Sequence, residues 1–129
     1  MDILQKSKNN QRRIGLTGGI ASGKTTITNY IRKHKNIPIL DADHFSRELI
    51  KPNTYGYKKI LDYFGNKIID NKNNSEREIN RKLLRNIIFK HSASKEWIEK
   101  LLHPLIKERM IEECSQYRNN QTIVLVIPL

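Results

Sequence analysis

The run Gly18-Gly19-Ile20-Ala21-Ser22-Gly23-Lys24-Thr25 constrains this chain more than any other stretch. It matches G-x-x-x-x-G-K-[ST], the Walker A pattern. Glycines let the backbone wrap around phosphate oxygens with its N–H groups pointing inward, and the helix that follows adds its positive N-terminus. Lys24 then reaches the β- and γ-phosphates, and the Thr25 hydroxyl ligates Mg²⁺. The pattern carries this meaning only between a strand and a helix, and both flanks qualify. Arg13 to Leu16 is a short apolar stretch that stops at Thr17-Gly18-Gly19, as a buried strand ending in a turn does. From Lys24 to Lys35, Ile27, Tyr30, Ile31 and His34 recur at spacings of three and four, which predicts an amphipathic helix.

Ile37-Pro38-Ile39-Leu40 reads as a second strand closed by Asp41-Ala42-Asp43, with a helix over His44 to Ile50 and a break at Pro52 and Gly56. Ile60, Leu61 and Phe64 share one side of a helix from Tyr57 to Phe64, which Gly65 terminates. After an Asn/Lys-rich connector over Asn66 to Asn74, Ser75-Glu76-Arg77-Glu78 fits a capping box. It predicts a helix reaching Lys90, with Ile79, Leu83 and Ile87 on one stripe. A longer stripe, Trp97, Ile98, Leu101, Leu102, Leu105, Ile106 and Met110, contains Pro104, which removes one backbone bond and predicts a kink. Thr122 to Ile127 is a continuous β-branched and leucine run, the mark of a central parallel strand.

That order predicts an α/β doubly wound parallel sheet flanked by helices, with a helical insertion. The expected boundaries are a polar leader over 1–12, one folding unit over 13–129 and an insertion over about 57–117. A buried strand finishing at Pro128-Leu129 implies that the C-terminal part of the fold is missing here. Its uncovered face and edge would invite self-association.

Lys and Arg number 24 against 13 Asp and Glu, a net charge of +11, and a field of that sign attracts polyanions. The cations are spread along the chain instead of gathered into one run, as on solvated helix surfaces. With 7% aromatic residues and no recognised RNA or DNA motif, nucleic acid is not an expected partner. A single cysteine, Cys114, cannot form an internal disulfide, and no Cys/His cluster has zinc spacing, which points to a reducing, cytoplasmic setting. No apolar run approaches the roughly 18 residues of a membrane span.

The acidic pair Asp41 and Asp43 falls at the carboxyl end of the second strand, the edge where open α/β sheets bind ligands. Carboxylates beside a triphosphate repel it unless they hold Mg²⁺ or accept a proton from the phosphoryl acceptor. One intervening residue turns the two side chains apart, so they serve different roles. The plainer alternative is that one of them caps the helix that follows.

Taken together, Ile14-Gly15-Leu16-Thr17-Gly18-Gly19-Ile20-Ala21-Ser22-Gly23-Lys24-Thr25-Thr26, Leu40-Asp41-Ala42-Asp43, Phe64-Gly65, Asn80-Arg81, Ile88-Phe89 and Leu101-Leu102-His103-Pro104-Leu105-Ile106 resemble the dephospho-CoA kinase family, from Arg13 to Leu129. The resemblance implies a P-loop NTPase fold with an inserted CoA-binding subdomain. Its activity would be ATP- and Mg²⁺-dependent phosphorylation of the ribose 3′-hydroxyl of dephospho-CoA, the last step of coenzyme A biosynthesis. It implies that Gly18, Gly19, Ile20, Ala21, Ser22, Gly23, Lys24, Thr25 and Thr26 hold ATP, with Lys24 catalytic and Thr25 on the metal. Asp43 would orient or deprotonate the acceptor hydroxyl, with Asp41, Arg81 and His103 also on the substrate. Arg81 has a plainer reading as one solvated charge, and His103 as a packing residue beside a bent helix.

Members of that family continue past the Val-Ile-Pro-Leu strand into a lid helix whose arginines neutralise the transferring phosphoryl, and into an adenine loop. Such arginines are worth about 10³ to 10⁵ in rate, so low turnover is expected of a chain without them. The competing expectations are another small P-loop nucleotide kinase and a non-catalytic nucleotide-binding fragment. ATP with Mg²⁺ is expected to raise the thermal midpoint by mass action, and Lys24→Ala to abolish the rise. An equal response of the two chains would remove the phosphate-loop reading.

Overall fold

A computed structural model describes residues 11–17, 24–34, 37–70, 76–117 and 121–127 of the chain, with the side chains of Lys24, Thr25 and His34 outside the description. Along the chain run β1 (Arg12–Leu16), α1 (Lys24–His34), β2 (Ile39–Asp41), α2 (Ala42–Leu49), α3 (Tyr55–Phe64), a 3-10 turn (Asn66–Ile68), α4 (Arg81–Lys90), α5 (Ser92–Ser115) and β3 (Thr122–Val126). They form two compact units, one from Met1–Phe45 with Lys107–Leu129, the other from Ser46–Ile106.

The first unit is organised by its last strand. β3 lies between β1 and β2 in a three-stranded sheet, parallel to both. Ile123, Val124, Leu125 and Val126 are each at most 4% exposed, as a strand covered on both faces requires. The open edge expected on this strand is therefore not there: β3 has a neighbour on each side, and among the described strands it is β1 and β2 that have a single neighbour. Leu40, Ala42, Phe45, Met110 and Cys114 complete this core. The Arg109 guanidinium stands 5.8 Å from the centre of the Phe45 ring.

Gln11, which falls within the expected leader over 1–12, has its own structural task. It is buried at 3% exposure and its Nε2 donates to the carbonyls of Cys114 (2.7 Å) and Tyr117 (3.1 Å). Carbonyls at a helix C-terminus have no partner within the helix, and Gln11 supplies one from the start of β1. Burial pushes the neighbouring Cys114 thiol above its ordinary pKa of 9.0; Arg13 opposes the rise and Glu113 adds to it. On α1 it is Thr28 that is buried, whereas Ile27 and Tyr30 of the expected stripe are 47% and 56% exposed.

The second unit surrounds Ile50, Ile60, Phe64, Ile68, Ile69, Ile79, Leu84 and Ile98. Trp97 stacks on Tyr63 at 4.0 Å and meets Phe64 edge-on at 5.8 Å, the arrangements that ring quadrupoles favour. Thr54 caps α3 by accepting from the Tyr57 N–H at 3.1 Å. Gly56, expected to break the chain, instead sits in the first turn of α3. A Cβ there would collide with the Leu49 carbonyl, so the absence of a side chain lets α3 approach the end of α2.

The expected capping box is displaced. Ile79 is drawn into an antiparallel bridge with Ile69 and buried, which holds the segment extended, and the helix starts only at Arg81. Asn80 caps it, its Oδ1 accepting from the N–H groups of Lys82 and Leu83. Ser75 lies outside the described residues. α5 is continuous over 24 residues with Pro104 inside it, at the cost of the bond that the Lys100 carbonyl would otherwise accept.

Leu125→Ala is expected to cost about 2 to 5 kcal/mol and Asn80→Ala about 1 kcal/mol in urea unfolding. Phe89→Ala, at a side chain 90% exposed, should stay within about 0.5 kcal/mol. Because the Cys114 proton is held more tightly in the folded chain, its contribution is complete below pH 9.0. Stability should fall as pH climbs through the raised value, and Cys114→Ala should flatten that limb.

Candidate nucleotide and acceptor sites

Parallel pairing on both sides of β3 brings two sequence features to one edge. Leu16, the last residue of β1, and Asp41, the last of β2, are both in register with Val126. Adjacent strands lie about 4.8 Å apart, so the two strand ends stand about 10 Å from each other across β3. The chain leaves β1 through Thr17 into the glycine run and resumes in α1 at Lys24. The expected phosphate contacts of Gly18, Gly19, Ile20, Ala21, Ser22 and Gly23, and those of the Lys24 and Thr25 side chains, lie outside the described residues. Thr26 is exposed on the first turn of α1.

The two acids separate as their spacing predicts. Asp41 Oδ1 accepts the Asp43 N–H at 2.9 Å, which makes Asp41 the N-cap of α2. That is why the helix begins at Ala42, two residues earlier than expected. Asp43 occupies the first turn, half-buried, where the positive end of the helix favours a carboxylate by about 0.3 to 1 kcal/mol.

In the second unit, α4 contributes Arg81, Leu84, Arg85 and Ile88 to an open cavity of about 180 Å³, lined further by Ser46, Ile50, Ile98 and Leu102. Arg81 is half-buried, and Arg85 is exposed one helical turn further on. Sequence reasoning singled out Arg81 and missed Arg85, although their i,i+4 spacing was visible. His103 is exposed on α5 and does not line this cavity. The segment RKLLRNIIFK of α4 contains no acidic residue. Like charges at i,i+4 destabilise a helix by about 0.2 to 0.5 kcal/mol, and cations in its first turn oppose its dipole. Interactions within α4 itself therefore do not favour Arg81, Lys82 and Arg85.

Among the described residues no group of three or more His, Cys, Asp or Glu could hold a metal ion. The hydroxyl oxygen of Thr25 is a donor of the type that Mg²⁺ takes beside nucleotide phosphates, needing no protein cage. No described helix is long and apolar enough to cross a membrane.

Comparison with known proteins gives one consistent result. The family model for dephospho-CoA kinase matches residues 12–129. A dephospho-CoA kinase of Prochlorococcus marinus (strain MIT 9312) is 88% identical over all 129 residues, which cover 63% of that relative. One from Vibrio vulnificus (strain CMCP6) is 45% identical over 116 residues, 90% of this chain and 55% of the relative. The crystal structure of TT1252 from Thermus thermophilus superposes with a TM-score of 0.73 at 24% identity, covering 90% of this chain and 55% of that one. Dephospho-CoA kinase from Campylobacter jejuni does so with 0.64 at 22%, covering 92% and 57%; these two likenesses speak for the fold. This chain therefore spans less than two thirds of the length of these relatives. With the family model matched from the first residue of β1 to the last residue of the sequence, the chain belongs to the dephospho-CoA kinase family.

Proposed function

We propose that this chain is the phosphate-loop and acceptor-binding part of an enzyme that transfers the γ-phosphoryl group of ATP to the ribose 3′-hydroxyl of dephospho-CoA. The observation that carries the reading is the register of β3, which sets Leu16, the end of the strand before the glycine run, and Asp41 on one sheet edge, about 10 Å apart. A loop that holds a triphosphate and an acid that meets an acceptor hydroxyl need that proximity. The family of the chain supports the same chemistry.

In this reading the backbone of Gly18 to Gly23 cradles the phosphates, and Thr26 extends the cradle into α1. Lys24 neutralises the charge that gathers on the transferring group. The Thr25 hydroxyl would hold Mg²⁺ beside the phosphates, and the ion would add charge neutralisation there. Asp43 orients the 3′-hydroxyl and accepts its proton as the oxygen attacks phosphorus. Asp41 acts through its cap on α2, which fixes where the first turn and Asp43 begin. Arg81 holds the acceptor in the helical unit, with His103 as a further contact to it. A reducing cytoplasmic setting, where ATP and Mg²⁺ abound, fits the lone buried Cys114.

In a full-length protein containing this sequence, Asp43→Asn should lower kcat by about 10² to 10⁴ while ATP affinity stays within about twofold. Undiminished turnover would take the proton-accepting role away from Asp43. Asp41→Asn, which keeps a capping oxygen, should fold as stably as the parent, and Asp41→Ala should lose about 1 kcal/mol. Equal stability of Asp41→Ala and the parent would contradict the cap.

A further inference from the structure

α4 presents to solvent a face that the acceptor role of Arg81 leaves unused. At about 100° per residue, Lys82, Arg85 and Asn86 fall within about 60° of Phe89 around the helix, and Lys90 follows Phe89 directly. All five side chains are exposed, Phe89 at 90%. Among the described residues no acid pairs with Lys82, Arg85 or Lys90. A lone exposed ring needs no explanation, but a ring set among three unpaired cations, on a helix with no acid of its own, does. We propose that this face is a docking site for single-stranded nucleic acid, with Phe89 stacking on a base and Lys82, Arg85 and Lys90 meeting the flanking phosphates.

Charge and shape together select this occupant. With a rise of about 1.5 Å per residue, Arg85 lies about 6 Å and Lys82 about 10.5 Å before Phe89 along the axis, so a base on the ring leaves its backbone beside the cations. An anionic membrane would also answer the charge, but a helix that lies in a membrane interface buries a continuous apolar stripe. Leu83, 38% exposed, stands about 120° from Phe89 with Asn86 and Lys90 between them, so α4 has no such stripe. An acidic peptide would satisfy the cations and leave the ring without a partner. A duplex keeps its base faces in the stack, whereas a single strand offers them to aromatic side chains. An aromatic content of 7% limits how many bases the whole chain can stack; one ring among three cations makes a short site, tolerant of sequence and sensitive to salt.

The test titrates the full chain into a short fluorescein-labelled single strand of mixed sequence, read by anisotropy across a salt series. The matching duplex and vesicles of phosphatidylserine and phosphatidylcholine serve as further probes. The parent is expected to bind the single strand with a log–log salt slope of about −2, from three phosphates at about 0.7 each. Phe89→Ala, at a position where truncation leaves the fold intact, should weaken binding about tenfold, and Phe89→Trp should bind at least as tightly as the parent. Lys82→Gln combined with Lys90→Gln should flatten the slope to about −0.7. Lys82, Phe89 and Lys90 do not line the cavity of the second unit, so saturating dephospho-CoA, like Lys24→Ala, should leave the strand bound. The proposal is overturned if the parent does not bind the strand, if Phe89→Ala binds within twofold of the parent, or if the duplex binds as tightly. Displacement by dephospho-CoA, loss of binding in Lys24→Ala, or binding to the vesicles alone would overturn it equally.

Discussion

Everything in the sheet unit depends on the pairing of β3 with two strands at once. β1 and β2 follow one another closely in sequence, yet neither pairs with the other. Each pairs with a strand about eighty or more residues further on, as the registers Ile14 to Val124 and Ile39 to Val124 show. Closing so long a loop is entropically costly. The return comes from burying four consecutive aliphatic side chains of β3 on both faces, at about 25 cal/mol per Å² of apolar surface. The same pairing aligns the carboxyl ends of the strands, so the interaction that stabilises the unit is also the one that brings Leu16 and Asp41 to one edge.

Local devices then set where each helix begins, and several lie at residues with chemistry of their own. Asp41 caps α2 through Asp43, Thr54 caps α3, and Asn80 caps α4 immediately before Arg81. A side-chain oxygen that satisfies an orphan N–H fixes the start of a helix to within one residue. It thereby fixes the rotation of every side chain that follows, since each step along a helix turns by about 100°. Asn80 is thus what puts Arg81, Leu84, Arg85 and Ile88 on one cavity wall. Gln11 does the complementary task at the other end of a helix, collecting two carbonyls near the end of α5.

α4 also shows how a departure from local preference marks a site. Its first turn carries Arg81 and Lys82 against the helix dipole, and Arg85 repeats the charge one turn later. The cap at Asn80 and the burial of Leu84 hold the helix despite them. Positions that oppose the stability of their own element are where function is expected, and of these cations Arg81 and Arg85 line a cavity.

The sequence by itself determined the kind of fold and most of its elements, because the Walker A run, the period of the helical stripes and the all-aliphatic run of β3 are local signals with one physical reading each. It also offered a helix cap as one reading of the acidic pair, and Asp41 makes that cap. Tertiary structure decided the rest. Ser75 and Glu78 have the letters of a capping box, but bridging Ile79 to Ile69 moved the helix start to Arg81, and no local pattern records a partner ten residues away. Gly56 read as a breaker until the Leu49 carbonyl occupied the space of its missing side chain. Which of the two acids caps α2, the two-sided pairing of β3 that leaves it no open edge, and the company that Arg85 keeps with Ile50, Ile98 and Leu102 depend on contacts between distant segments. Such contacts form only when the chain has folded, since register and burial are properties of pairs of elements and a sequence lists its elements one at a time.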